Sequence, residues 1–570
     1  MADVGLSIVE GLSRGASAYR EPSKRNVGLL GQFVRGESLK PIKVSSLEDF
    51  GTFFGGQSNA LFGPAIVKAI FDEADGAPVS LYISRVTGKN SKAATGEASL
   101  LGGAIMTAKA GQRGAEDVGA WGNGVTLELY SFDSASRGNY VLKISYKDKE
   151  ETIIGETLSE IQQAVTKISR FAVVNFSQEI PEENKVTMEQ LSGTVSASTS
   201  SPIITGVGTS FKSVLKSGSA LYYNDKLVGT VSSVDSDNQV TLTGKAFIEV
   251  PESSSLSHRK DVVWKIVLSG GTDGDAVTID DYAPNAMGGG LSSFDGFDIQ
   301  YLATTEFHNI RMAKILKQYC HETKSAIGIV NLPELADEGM AELYDIELGS
   351  NEQSFIASYM GWCYVPDMQG NPRRLPVIGP VIGAALIRTP YIQGDFVHIP
   401  PAGIDSLFKT VTKMEPNRLG QAMINKLVKH YHCNVIQNVE NLGFYVGTSR
   451  THSRNSLYTS IHVRLQTSFY LRSLNSLMRF LEQKPNTPEL KREALVSLLQ
   501  FFKNEYNNGA LERSVPFDVA YRGICDASNN PVGQDRKVLN IDCEWIPTEC
   551  TESIRISLLR NDGVLTATEK

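Results

Sequence analysis

The chain carries alternating strand-and-helix text in two separate blocks, over 26–86 and over 297–365, with sequence of another character between. In the first block "NVGLLGQFV" (26–34) reads as a buried strand and "SSLEDFGTFFGG" as a helix opened by a capping box of Ser45 and Glu48. "PAIVKAIFDEADG" is a second helix, stopped by Gly76, and "VSLYISRV" (79–86) is the returning strand. In the second block the strands are "FDIQYLATT", "AIGIVNLP" and "SFIASYMGWCYV". The helices between them are "EFHNIRMAKILKQYCHETK", with Ile310, Ala313, Leu316 and Cys320 on one apolar face, and "ELADEGMAELYDIEL". Strands alternating with helices at this spacing build βαβ units in a layered α/β domain.

From Gly193 to Glu249 the text turns rich in Ser, Thr, Val and Gly, in short alternating runs such as "LVGTVSSV" and "QVTLTG". That is the mark of a small all-β module, and the return of α/β text after it makes the module an insertion. The last third changes again. Two helices read as "IHVRLQTSFYLRSLNSLMRFLEQ" and "PELKREALVSLLQFFKNEYNNG", the second opened by Thr487 and Pro488 and stopped at Gly509. Strands "FDVAYRGIC", "KVLNIDCEWIP" and "SIRISLL" follow, the last reaching to within a dozen residues of the end.

At 570 residues the chain is too long for one core, and three to four domains are expected. A formal charge of −8 argues against a general nucleic-acid binder. That charge is uneven, because residues 404–518 hold 15 Lys/Arg against 9 Asp/Glu. The excess is read either as solvated helix faces or as a segment turned towards an acidic partner. Six cysteines without a CxxC pair read as thiols of a reducing compartment. The opening "MADVGLSIVEGLSRG" has no basic n-region, and no uncharged apolar run approaches the ~20 residues of a membrane span. A cytosolic protein without membrane insertion is expected.

Catalytic motifs are few. "GLLGQFVRGES" has no Gly-Lys-Ser/Thr and is not a phosphate loop, and no Gly-x-Ser-x-Gly elbow occurs. "LSGGTDGDAVTIDDY" (268–282) gathers Asp273, Asp275, Asp280 and Asp281, which read as a Gly-rich turn with solvated acids or as ligands of a hard cation. "KHYHCN" (429–434) offers His430, His432 and Cys433 on what reads as a strand edge, without a second ligand pair nearby. An α/β metal- or phosphate-binding enzyme is therefore the rival reading. No cofactor is expected.

The conspicuous motifs are "GAWGNG" (119–124) with Trp121 and Asn123, "LSGGTDG", "IPPAG" (399–403) with Pro401 and Gly403, and "CNVIQNVENLGFYVGTSRT" (433–451) with Arg450. After them come the long helix pair joined through "FLEQKPNT", and "CDASNNP" (525–531). In this order and spacing they resemble the tail sheath proteins of contractile bacteriophages and related contractile injection systems, over most of the chain.

The resemblance implies α/β and α+β multidomain architecture: a layered α/β sheath core, a small all-β inserted domain and extended terminal arms. Its expected segments are an N-terminal arm (1–25), an N-terminal α/β region (26–192), an inserted β domain (193–250) on the outside, a continued α/β domain (251–395), an inner tube-facing domain (396–551) and a C-terminal strand arm (552–570). It implies no enzyme but a subunit of stacked, six-fold rings around a tail tube, contracting from a metastable extended state. The implied partners are itself, the tube protein, and baseplate and tail terminator proteins. The implied location is a virion tail assembled in host cytoplasm, with a bacteriocin or secretion-type sheath as the alternative.

Donated strands join neighbours in that family. The implied donors here are Val4, Leu6, Ile8 and Val9 at one end, and Ile554, Arg555, Ile556, Ser557 and Leu558 at the other. Read from the residues alone, "SIRISLL" closes the chain's own sheet, as a hairpin through Asp562-Gly563, in preference to pairing with a neighbour. Candidate contacts to the tube are Arg472, Arg479, Lys484, Lys491 and Arg492.

Overall fold

The computed structural model describes residues 23–100, 103–131, 140–177, 186–217, 219–224, 226–324, 326–351, 354–367, 369–531 and 537–551. The strand donors at both ends of the sequence lie outside them. The chain forms two compact units, one of residues up to Val34, Ser38–Val86 and from Val277 onward, the other of Arg35–Glu37 and Thr87–Ala276.

The first unit is built on an eight-stranded sheet. Its strands in chain order are β1 (Val27–Gly31), β2 (Ile42–Val44), β3 (Leu81–Arg85), β4 (Tyr301–Thr304), β5 (Ile327–Asn331), β6 (Ile356–Met360), β7 (Cys433–Val439) and β8 (Gly443–Val446). In space they run β2-β3-β1-β4-β5-β6-β7-β8. The six from β3 to β7 are parallel, and β2 and β8 close the two edges antiparallel. The central strands β1, β4, β5 and β6 are buried or nearly so at every position, as a sheet covered on both faces requires.

Alternate residues serve opposite layers. Leu29, Tyr301, Ala303, Ile329 and Tyr359 enter one core, while Leu30, Leu302, Val330 and Met360 enter the other. Helices α1 (Leu47–Phe54) and α2 (Phe62–Ala74) cover the first face, and α3 (Ile310–Thr323) and α4 (Glu338–Leu348) cover the second. The apolar face read for α3 is the buried one, through Met312, Ala313, Leu316, Tyr319 and Cys320. The cap of α1 lies one residue later than expected. Ser46 Oγ accepts from Asp49 N at 3.0 Å, and Asp49 returns a bond to Ser45 N at 3.3 Å. Ser45 and Glu48 are therefore not the capping pair.

One core element has no counterpart in the sequence reading. Val381–Arg388 is a π-helix, buried along its whole length. Gly383 lets it approach α2, since a Cβ there would stand 2.5 Å from Ile70 O. At its end Arg388 donates to Glu73 O at 2.8 Å and to Leu407 O. The Glu73 carboxylate, fully buried, accepts from Lys409 N, Thr410 N and Thr410 Oγ1 at 2.7–2.8 Å.

Towards the end of the described chain come α5 (Gln421–Lys429), α6 (Ile461–Met478) and α7 (Pro488–Asn507). Thr487 caps α7, accepting from Leu490 N at 3.3 Å, with Pro488 in the first turn. The two strands read after α7 are shorter than expected. Phe517–Ala520 is a helical turn, its Ala520 N bonded to Pro516 O, and only β9 (Tyr521–Ile524) is strand. Of "KVLNIDCEWIP" only β10 (Asp542–Trp545) is.

The second unit is nearly all β. Strands Val125–Ser131, Tyr140–Tyr146 and Lys149–Gly155 form a meander against the long strand Ser257–Val267. That long strand also pairs with Val186–Gln190 and Ala220–Tyr223. The Ser/Thr-rich text folds as short antiparallel strands around Val195, Ile204, Phe211, Leu221, Val231 and Val240, all buried. A further sheet pairs Gly103–Gln112 with Thr95–Leu100 and Ala172–Phe176.

Candidate assembly surface

The motifs singled out in the sequence are joints of the scaffold. In the second unit Asn123 Nδ2 donates to Gly271 O at 2.9 Å while Asn123 Oδ1 accepts from Gly271 N at 2.7 Å, so "GAWGNG" and "LSGGTDG" are clamped together. Glycine is required at 271, where a Cβ would stand 2.5 Å from Gly119 O. Trp121 is buried against Tyr146, with the Arg35 guanidinium 5.4 Å from its ring. In the first unit Gly403, at φ 91°, donates to Val446 O, and Ser406 Oγ accepts from Val446 N, which fixes "IPPAG" to the end of β8. Pro401 is buried there. The buried Asn434 carboxamide bonds both backbone groups of Arg450, at 2.6 and 2.7 Å.

The residues read as possible chemistry are engaged elsewhere. Asp273 accepts from Ala120 N, Asp275 from Asn90, Asp281 caps Thr278, and Asp280 pairs with Arg311. No group of acids, histidines and cysteines suited to a metal occurs among the described residues. "KHYHCN" is not a strand edge: His430 ends α5, His432 sits at φ 48°, and only Cys433 begins β7. Burial pushes the Cys433 thiol up to about 12.

Two catalytic-looking arrangements escaped the sequence reading because their members are far apart in the chain. His452 Nε2 lies 2.8 Å from Ser358 Oγ, and His452 Nδ1 lies 3.5 Å from Asp345 Oδ1. This has the order of a nucleophile triad. Ser358 and His452 are, however, fully buried on β6 and beneath the 449–454 loop, where no substrate reaches them. Asp345 also accepts from His432 at 2.8 Å and from Arg454 at 3.3 Å, so the cluster ties α4 to the loops around it. Burial lowers the His452 pKa, whereas bonds from His432 and His452 outweigh burial and hold Asp345 below the usual carboxylate range.

The second arrangement is the crevice past β1 and β4, where doubly wound sheets bind ligands at the switch of strand order. Here Glu306 fills it. Its carboxylate accepts from Gln32 N at 3.1 Å, Tyr282 OH at 2.7 Å and Thr305 Oγ1, and burial raises its pKa.

Among the described residues the last third leaves a strand edge open. β9 and β10 form a two-stranded antiparallel ribbon, and among the described residues no third strand pairs with either side of it. Its register is Tyr521↔Trp545, Arg522↔Glu544, Gly523↔Cys543 and Ile524↔Asp542. Ile546 N donates to Ala520 O, so by ladder alternation Arg522/Glu544 and Ile524/Asp542 exchange the inner bonds. The backbone groups of Cys543 and Trp545 point away from β9. One face of the ribbon is anchored: Tyr521 stacks on Phe502 at 4.2 Å, and Trp545 meets Tyr470 edge-on at 4.9 Å. An isolated pair of four-residue strands is marginal in water, and this one is held by α6 and α7.

The residues proposed to face a tube lie on the same two helices and their link. Arg479, Lys484 and Arg492 are exposed and Lys491 is half-buried. Arg492 pairs with Glu489, one helical turn away, at 3.0 Å. Arg472 differs, being largely buried with its guanidinium 3.2 Å from Asp298.

No protein-family model matches the chain, and no curated protein matches it significantly. Among solved structures it is similar to the sheath tail protein of Listeria innocua at 12% identity, with a TM-score of 0.52, over 95% of this chain and 98% of that one. It is also similar to the sheath tail protein of Desulfitobacterium hafniense (11% identity, TM-score 0.48, 92% and 97% covered). A third similarity is to the anti-feeding prophage sheath in the contracted state (17% identity, TM-score 0.38, 46% and 70% covered). The chain therefore has the fold of tail sheath proteins, and the resemblance read from its motifs holds at that level. The correspondence with the Listeria protein extends over nearly the whole length of both chains.

Proposed function

We propose that the chain is the structural subunit of a contractile tail sheath, assembled as stacked rings around a tail tube and contracting to drive that tube through a cell envelope. The observation that carries this reading is the open β9–β10 ribbon, in a chain with the tail sheath fold. An edge strand with free backbone groups templates pairing with another chain. In a polymer the pairing partner is a second copy, donating Val4, Leu6, Ile8 and Val9 from one end or Ile554, Ile556 and Leu558 from the other. The remaining partners are the tube, the baseplate and the tail terminator, and the location is a tail assembled in host cytoplasm.

The buried Ser358–His452–Asp345 line and the Glu306-filled crevice support a structural role over the enzyme reading. Electron microscopy of the purified chain in negative stain tests the proposal. Tubes or cogwheel rings are expected, and monomers dispersed at every concentration overturn it.

A further inference from the structure

Past Ile524 and Asp542 the β9–β10 ladder has no further backbone rung, yet the next position is filled. The residue due opposite Asn540 is Asp526, by the register of Ile524 with Asp542. Instead Asn530 Oδ1 accepts from Asn540 N at 2.8 Å, and Asn530 Nδ2 donates to Asn540 O at 2.9 Å. A side-chain amide carries the donor and acceptor of a peptide group, so Asn530 supplies both bonds of the missing rung.

Asn529 backs it. Its Nδ2 donates to Ile524 O at 2.8 Å and to Asp542 Oδ2 at 2.9 Å, the two ends of the last true rung. Its Oδ1 accepts from Asp526 N at 3.0 Å and Asn530 Nδ2 at 2.8 Å. Asn540 Nδ2 closes the ring by donating to Asn529 O at 3.0 Å. This is what "CDASNNP" encodes.

The ring stands at the end of the ribbon away from its aromatic anchor, since Tyr521 and Trp545 occupy the opposite end. Without it that end has only one inner rung, Ile524 with Asp542, before the chain diverges. We propose that Asn529, Asn530 and Asn540 are positioning residues for strand acceptance: they hold the end of β10 remote from the ring contacts of Tyr521 and Trp545 in register, so that the outer groups of Cys543 and Trp545 meet an incoming strand in line. A slip of one residue exchanges the faces of the ribbon and sets those groups out of step with a donor. The inference rests on the proposed sheath function and assigns it residues outside both the donor arms and the anchored core.

The test uses the full chain and Asn530→Ala, Asn530→Asp and Asn529→Ala variants, with Asn507→Ala on α7 as control. The critical concentration for polymerisation is read by sedimentation. Binding of a peptide of residues 552–562 to unassembled protein is read by fluorescence anisotropy. In Asn530→Ala, losing the two neutral rung bonds to Asn540 should raise both constants about tenfold. Melting of the unassembled protein should stay within a few degrees of the parent, because the aromatic anchor is untouched. Asn530→Asp keeps the acceptor and loses the donor, so it should fall between parent and Asn530→Ala. Variants that polymerise and bind peptide like the parent overturn the inference, as does a loss of assembly matched by a loss of melting temperature. If the parent itself forms no polymer, the sheath reading fails instead.

Discussion

Asn123 and Gly271, 148 positions apart in the sequence, exchange two hydrogen bonds through one carboxamide. The pair fastens the turn before the meander of the second unit to the turn after the strand Ser257–Val267. Asn123→Ala removes both bonds and should cost about 1–2 kcal/mol. The measurement is chemical denaturation of the unassembled protein. An unchanged midpoint would mean that the clamp contributes nothing net.

Glu73 offers a sharper case. It is the fully buried acceptor of three bonds from Lys409 and Thr410, and Arg388 stands beside it. Glu73→Ala strands those donors and leaves a buried guanidinium without its carboxylate, at a cost of about 3–5 kcal/mol. Glu73→Gln, which keeps acceptors, should be milder. Soluble yield and thermal melting of the two variants give the order.

Acid should loosen the first unit before it affects the second. Burial pushes His308 down to about 4 and lowers His452, so both stay neutral when folded while their unfolded forms take a proton near pH 6.5. A lowered histidine pKa means the unfolded state binds more protons, and stability falls as pH drops from about 6.5 towards 4. The Asp345 contribution has the same sign and is lost at lower pH, below its unfolded value of about 3.9. His308→Gln should flatten the slope of unfolding free energy between pH 6.5 and 4. A slope equal to that of the parent would contradict this.

Tube contacts should divide by exposure. Arg479, Lys484 and Arg492 are exposed, whereas Arg472 is committed to Asp298. Charge reversal of the exposed three should weaken sheath–tube association, and salt at ~0.5 M should do the same in the parent. Co-sedimentation with tubes across a salt series reads both effects, and indifference to salt would remove the electrostatic account.

Deleting residues 552–570 should leave a folded protein that melts like the parent and forms no tubes. Tubes of normal length from the truncated chain would show that the C-terminal donors are not needed.

Much of the parallel sheet could be read in advance. β1, β5 and β6 are continuous apolar runs, because both faces are covered, and α7 announces itself through Thr487 and Pro488. Other features were hidden for definite reasons. Two Ser-x-x-acid pairs overlap at the start of α1, and spacing does not distinguish Ser45–Glu48 from Ser46–Asp49. The π-helix Val381–Arg388 follows neither of the two periods that apolar patterns reveal. "KHYHCN" looked extended, but a left-handed His432 breaks it. The Ser358–His452–Asp345 line and the Glu306 crevice join residues distant in the chain, so no local pattern could announce them. The Asn529–Asn530–Asn540 ring was visible only as a motif, because its partners are mostly backbone groups.

The pairing of β1 with β4 has a consequence for the ribosome. Asn26 and Gln300, at the head of those strands, lie 274 positions apart, and the second unit is encoded between them. At ordinary rates of elongation, roughly 15 to 55 s pass between the emergence of one strand and the other. Once β3 has emerged, β1 has β3 on one side and bare peptide groups on the other for the rest of that interval. Each chain must therefore keep the open side of β1 from its neighbours until its own β4 has emerged.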